Sequence, residues 1–230
     1  MFMLFSLLRG NLDFTAALTQ VLAILVIVFL VLPFHEWAHA FTALKLGDTS
    51  VKYRGRLTLN PMAHIDPFGA LALLLFGFGW AKPVPIDPRN FKNPKLGMGV
   101  VALMGPVANI VAAIVGGLIF HAIAAFAPTF FTGEGFGYYL NLFLVFYIQI
   151  NVSLAVFNLL PIPPLDGSKI LFVFLPDRAV AWFYRYQNII SIVLIALLWM
   201  GVLSIPLNFL SKYVLTFVNW ITALPFSFVK

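Results

Sequence analysis

Long apolar runs separated by short polar loops dominate the pattern of residues along this chain. The first extends from Phe14 to about Leu46, and further long runs cover Met98–Phe126 and Tyr138–Leu160. Each suits a helix across a hydrocarbon core, which needs roughly 20 mostly apolar residues. Two shorter runs, within 188–224, follow near the C-terminus. The pattern predicts an all-α polytopic membrane protein, a single membrane domain over residues 1–230 with about five to six transmembrane helices.

One apolar run, Ala70–Trp80, is too short for a full span because it has only 11 residues. It lies between two basic loops, which prefer the same side of the membrane. A re-entrant or shallow segment between the first two full spans explains both facts. Just before it, Val51–Leu59 alternates in polarity and favours a strand or hairpin. Pro33 interrupts the first run and predicts a kink.

Composition narrows the class of protein further. Hydrophobic residues make up 62% of the chain, charged residues make up 10%, and the mean hydropathy is +0.99. These values exclude an ordinary soluble globule and a disordered chain. The absence of cysteine excludes disulfides and thiolate ligands. The net charge of +6 comes from basic residues in short loops, which indicates control of topology and not binding to nucleic acid. The apolar start, residues 1–8, is too short to span and is not interpreted as a signal peptide.

A histidine–glutamate motif comes directly after Pro33, within the first run. His35 and His39 are four residues apart, which places both imidazoles on one face of a helix, one turn apart. Two such nitrogens can bind one zinc ion, and Glu36 can take a proton from a water on that ion. Ionisable groups are costly within a span, which favours a functional site.

A catalytic zinc site usually has a third protein ligand. Asp166 stands out because three prolines in the four residues 161–164 exclude a helix just before it. Its carboxylate could therefore turn back toward the bundle, or it could cap a helix over Gly167–Leu175. The other candidates are His64, Asp66, Asp87, His121, Glu134 and Asp177.

Several motifs together resemble the site-2 protease family of intramembrane zinc metalloproteases. They are His35–His39 (HEWAH), Gly105–Asn109 (GPVAN) and Asn158–Gly167 (NLLPIPPLDG). Arg56–Gly69 and Gly79–Phe91 are similar to stretches of its compact prokaryotic branch, whose members have no PDZ or CBS domain. The resemblance covers about residues 30 to 175, and the later helices, 188–224, are generic.

The resemblance implies a function and a set of roles. It implies that Asp166 is the third ligand of one zinc ion per chain, that Glu36 activates the water, and that Asn158 holds the scissile carbonyl or the oxyanion. The expected substrates are single-span membrane proteins such as anti-sigma factors or remnant signal peptides. Basic loops place the site toward the cytoplasmic side of a cell membrane.

Other interpretations remain open at this stage. A metal transporter would explain ligands within a span, and a proteolytically silent zinc-binding scaffold or a lipid hydrolase would share the motif. Asn151 could orient substrate or bond between helices, and Asn109 is more typical of close helix packing. His64 could contact substrate or a residue that supports the site, or it could be a solvated or structural loop residue.

Overall fold

The computed structural model describes residues 22, 25–76, 80–131 and 135–228. The expectations for residues 1–21 and for Glu134 lie outside these residues. The chain divides into two compact units, Met1–Asp87 and Pro88–Lys230. Within the described ranges all regular structure is helical, apart from one isolated antiparallel bridge between Ile65 and Ala81. This confirms the all-α prediction.

The first unit is organised around helix α1, Leu32–Lys45, which continues from a π-helical turn over Ile27–Val31. The Leu32 N–H donates to the Ile27 carbonyl five residues earlier, which is the π pattern. Pro33 has no N–H and so interrupts the regular α ladder directly after this turn. The predicted interruption of the first run is therefore a local change of helix type.

Three short helices follow α1 in the described part of the first unit, namely α2 (Ser50–Tyr53), α3 (Pro61–His64) and α4 (Pro67–Phe76). The ten residues of α4 reach about 15 Å, half the thickness of a hydrocarbon core. This length agrees with the short segment predicted between the first two spans.

The strand or hairpin predicted for Val51–Leu59 is wrong. Its first residues belong to α2, and Gly55 then turns the chain in the left-handed region with φ +65°. The Arg56 N–H donates to the Val51 carbonyl at 3.1 Å. Backbone groups here form hydrogen bonds within the turn. Among the described residues no strand lies beside them, so they have no partner strand with which to form a sheet.

Five helices lie in the described part of the second unit, which begins at Pro88. They are α5 (Pro94–Phe126), α6 (Phe136–Asn158), α7 (Asp166–Phe172), α8 (Asp177–Trp199) and α9 (Ser204–Ala223). Single 3-10 turns lie at Pro88–Asn90, Pro128–Phe130 and Leu224–Phe226.

Four helices of the described chain are long and apolar enough to cross a membrane. They are Ile27–Lys45, α5, α6 and α8. The 20 residues of α9 reach about 30 Å, but this helix is not among the four. Helix α8 begins at Asp177, well before the apolar run predicted from residue 188.

Small residues on α5 let the neighbouring helices of the second unit approach closely. A Cβ added at Gly116 would meet the Tyr147 ring of α6, and one added at Gly117 would press on Thr222 of α9. The core of the unit lies between these three helices, around Ala113, Ile148, Val152 and Val218. Such close contacts are typical of helices that associate within a membrane.

Candidate metal centre

Helix α1 brings two imidazoles together on a buried face of the first unit. The Nε2 atoms of His35 and His39 lie 3.0 Å apart, and the rings meet edge to face. The two side chains are only 5% and 6% exposed. Two nitrogens that bind one zinc ion at 2.0–2.1 Å with a tetrahedral angle lie about 3.3 Å apart. The observed pair therefore fits two ligands of one shared ion.

Glu36 follows His35 in α1 and is half-buried. Its Oε2 atom accepts a hydrogen bond from the Val84 main-chain N–H at 3.2 Å. Val84 is 48 residues further along the chain. The carboxylate predicted to act as the base is therefore held at one oxygen by a distant part of the same unit.

Val84 belongs to a segment, Lys82–Asp87, that we call the strap. The strap is attached to the rest of the first unit by three main-chain N–H groups. Lys82 donates to the His64 carbonyl at 2.8 Å, Val84 donates to Glu36, and Asp87 donates to Oδ2 of Asp48 at 2.8 Å. Sequence reasoning missed the strap, although the alternation Pro83-Val84-Pro85 is a visible signal of a stiff, extended segment.

His64 is 1% exposed, so a solvated loop histidine is excluded. Its Nε2 lies 2.9 Å from the Thr58 carbonyl oxygen, which can only accept, so Nε2 carries the hydrogen. Its Nδ1 is buried and has no hydrogen-bond partner within the described ranges. His64 is a packed interior residue whose main chain anchors the strap.

Asp166 is the first residue of α7 in the second unit, and its side chain is 8% exposed. Leu165 takes the N-cap position of α7, so Asp166 lies in the first turn of the helix and not at its cap. Lys169 donates to Oδ1 of Asp166 at 3.3 Å. A buried carboxylate needs such a charged partner. Its role as a third metal ligand stays a prediction.

Gly167 explains how α7 begins so close to the end of α6. A Cβ at this position would overlap the main-chain oxygens of Leu159 and Leu160. Only glycine therefore allows the turn after the prolines to bring Asp166 to its buried position.

Asn158 ends α6, and its Nδ2 donates to the Leu154 carbonyl of the same helix at 3.0 Å. Asn151, seven residues earlier in α6, donates in the same way to the Tyr147 carbonyl at 2.9 Å. A side-chain amide carries two N–H groups, so Asn158 retains a second donor. That donor could serve a substrate carbonyl.

The model of Peptidase family M50 matches residues 133–201. The matched stretch contains Asn158 and Asp166 but not the histidine pair. The chain is similar to the Bacillus subtilis protein "Putative zinc metalloprotease YwhC". The two are 44% identical over 137 residues, which cover 60% of this chain and 62% of the relative. The chain is similar to peptidase family M50 over residues 133–201.

Two further relatives carry similar names. "Putative zinc metalloprotease Rip2" of Mycolicibacterium smegmatis is 34% identical over 142 residues, which cover 58% of this chain and 49% of the relative. "Putative zinc metalloprotease MJ0611" of Methanocaldococcus jannaschii is 32% identical over 142 residues, which cover 60% of this chain and 63% of the relative. The chain thus spans between about half and just under two thirds of these relatives. No solved structure matches it. The family and the names support a zinc metalloprotease, and zinc as the metal.

Two other candidate ligands, Asp66 and Asp177, and the buried Asn109 have different local surroundings. Oδ1 of Asp66 accepts from the Gly69 N–H at 2.9 Å at the start of α4. Asp177 is 98% exposed and pairs with Lys95 on the surface at 3.2 Å. Asn109 is fully buried, and neither atom of its amide has a hydrogen-bond partner in the part of the chain that the structure describes.

Proposed function

We propose that this protein is an intramembrane zinc metalloprotease. It would hydrolyse peptide bonds within or next to the transmembrane segment of single-span membrane proteins. The observation that carries the proposal is the convergence of two buried Nε2 atoms, 3.0 Å apart, on the helix that also carries Glu36. This pair lies on Ile27–Lys45, one of the helices apolar enough to span a membrane.

The proposed metal ligands are His35, His39 and Asp166, for one zinc ion per chain. Each side chain is buried, and the set of two imidazoles and one carboxylate is typical of catalytic zinc. Support for Asp166 comes from its motif, which resembles that of the site-2 proteases, and from the family match over its segment. When bound, zinc supplies a Lewis acid that polarises the scissile carbonyl and makes water a better nucleophile.

The protein's own side chains would move the protons. Glu36 would take the proton of the attacking water and deliver it to the leaving amine. The second N–H of the Asn158 amide would donate to the oxyanion as the carbonyl carbon becomes tetrahedral. Both groups would thus act on charge that develops in the transition state.

The metal content of the purified protein tests the proposed ligands. We expect about one zinc per chain in the wild type and a lower content in Asp166→Ala. Asp177→Ala is the matched control because it removes an exposed carboxylate from the same unit, and it should keep the zinc. Wild-type protein without zinc, prepared without chelators, would contradict the proposal.

Co-expression with a panel of tagged single-span proteins, including anti-sigma factors and remnant signal peptides, tests the reaction. We expect cleavage by the wild type, and none by Glu36→Gln, which should retain its zinc. Cleavage that persists in Glu36→Gln would refute the role of the base. Zinc-loaded wild type that cleaves nothing in the panel would support a silent scaffold, and zinc uptake into vesicles would support a transporter.

The site is proposed to face the cytoplasm, because basic residues flank it in sequence on both sides. The chain has no cysteine, so single cysteines at Lys92 and at Arg178 give unique labels. We expect both to resist a membrane-impermeant thiol reagent in intact cells and to react after lysis. Reaction in intact cells would overturn this orientation.

A further inference from the structure

The hydrogen bond between Val84 and Glu36 joins the proposed base to a segment 48 residues away. A glutamate has three side-chain torsions, so its carboxylate can adopt many positions unless something fixes it. A bond from an N–H to an ionised carboxylate is charge-assisted and therefore among the stronger hydrogen bonds. This bond engages Oε2 and leaves Oε1 available for a proton.

The sequence of the strap makes Val84 a well-defined donor. Pro83 and Pro85 have no N–H, so Val84 carries the only one between Lys82 and Ile86. A residue before proline is restricted to extended conformations, which applies to Lys82 and to Val84. The strap is therefore stiff on both sides of its single central donor.

The strap is also fixed at both of its ends. Lys82 donates to the His64 carbonyl, which belongs to a residue that is itself fully buried. At the other end, Asp48 is 0% exposed and accepts from Asp87 at 2.8 Å and from Ser50 at 3.0 Å. Three attachments over six residues leave the Val84 N–H little freedom to follow a moving carboxylate.

We propose that the Val84 main-chain N–H, aimed by the strap, is a positioning group that orients the Glu36 carboxylate for proton transfer. This inference rests on the proposed function, in which Glu36 is the base. The side chain of Val84 takes no part in it. The prolines and Asp48 act through Val84, since they set where its N–H points.

Hydrogen exchange tests the contact without any need for activity. Full-length protein in detergent is compared as wild type, Glu36→Ala and Glu36→Gln. Because prolines have no amide hydrogen, exchange measured over residues 83–85 reports Val84 alone. We expect exchange at Val84 to be at least about tenfold faster in Glu36→Ala and nearly unchanged in Glu36→Gln, whose amide oxygen still accepts. The Asp87 amide, bound to Asp48, is the internal control and should stay protected. Unchanged protection of Val84 in Glu36→Ala would overturn the proposal.

Kinetics test the positioning role. Val84→Pro removes the N–H, and replacement of Val84 by its α-hydroxy acid removes the same hydrogen but keeps the side chain. We expect kcat for a cleaved substrate to fall about ten- to hundredfold with either change, with KM and zinc content nearly unchanged. Val84→Ala retains the N–H and should lose much less. If Val84→Pro loses its zinc through misfolding, the ester variant decides the question.

An ester variant with wild-type kcat would refute the positioning role even if the protease activity is real. A wild type that cleaves no substrate would refute the proposed function instead, whereas the exchange experiment would still report on the contact. The two failures are therefore distinguishable.

Discussion

The tightest approach near Asp166 predicts a strong effect of the substitution Gly167→Ala. Real Cβ atoms essentially never come within 3.0 Å of a heavy atom, and two main-chain oxygens, those of Leu159 and Leu160, lie inside this limit. Main-chain oxygens cannot swing aside as the end of a flexible side chain can. Helix α7 must therefore move, and Asp166 must move with it.

The cost follows from overpacking of a close contact, about 1–3 kcal/mol of unfolding free energy. At about 2–4 °C per kcal/mol for a chain of this size, the midpoint of thermal unfolding should fall by about 2–12 °C. If Asp166 is a zinc ligand as proposed, its displacement should also weaken zinc binding by about tenfold or more, as when the support of a metal ligand is removed.

Thermal unfolding in detergent and a zinc titration of the metal-free protein measure these two effects. Gly116→Ala is the control, because its Cβ would meet only side-chain atoms of Tyr147 and Ile148, the nearest at 2.9 Å. The control should lose less stability and keep its zinc affinity. If Gly167→Ala unfolds at the wild-type temperature with full zinc affinity, the close approach of α7 to α6 is not required.

Three further substitutions test the packing of the second unit, each by the same thermal scan. Asn93→Ala removes the N-cap of α5 and should cost about 1 kcal/mol, whereas Asn93→Ser should not; equal losses would refute the cap. Asp177→Asn removes a surface ion pair with Lys95 and should leave the midpoint unchanged, because exposed pairs contribute little. Gly117→Ala should lower the midpoint because its Cβ would lie 2.8 Å from Oγ1 of Thr222, and adding Thr222→Ala should largely restore it; no restoration would refute that contact.

Hydropathy predicted the long helices well because their signal is local. The run predicted over Met98–Phe126 corresponds to the helix Pro94–Phe126. The run predicted over Tyr138–Leu160 corresponds to the helix Phe136–Asn158. The earlier start of α5 had a signal in the sequence, since Asn93 caps the helix and the next residue is a proline in its first turn.

The histidine pair was predictable for the same reason, since a spacing of four fixes a shared face on any helix. The strand over Val51–Leu59 failed because alternation is meaningful only beside a partner strand, and among the described residues none is present. Local sequence patterns therefore predicted helices, whose backbone hydrogen bonds lie within the element. They failed for the strand, whose hydrogen bonds would require a partner segment.

Non-local contacts account for what the sequence could not predict around Glu36. The donor to Glu36 is 48 residues away, and the acceptor for Asp87 is 39 residues away. Burial of His64 depends on the same packing. A pattern of neighbouring residues cannot reveal contacts between residues this far apart in sequence. The hydrogen-bond partners around Glu36 are therefore known only from the folded unit.

The π-helical turn at Ile27–Val31 has a consequence for how the length of this segment can vary. A π turn accommodates one residue more than an α turn while the helix continues on both sides. Deleting one residue from it would leave an ordinary α turn, and both the preceding face and the downstream histidines would keep their relative orientation. A one-residue gap in a sequence alignment at this point would therefore be structurally silent, whereas a gap between His35 and His39 would rotate one imidazole away from the other by about 100°.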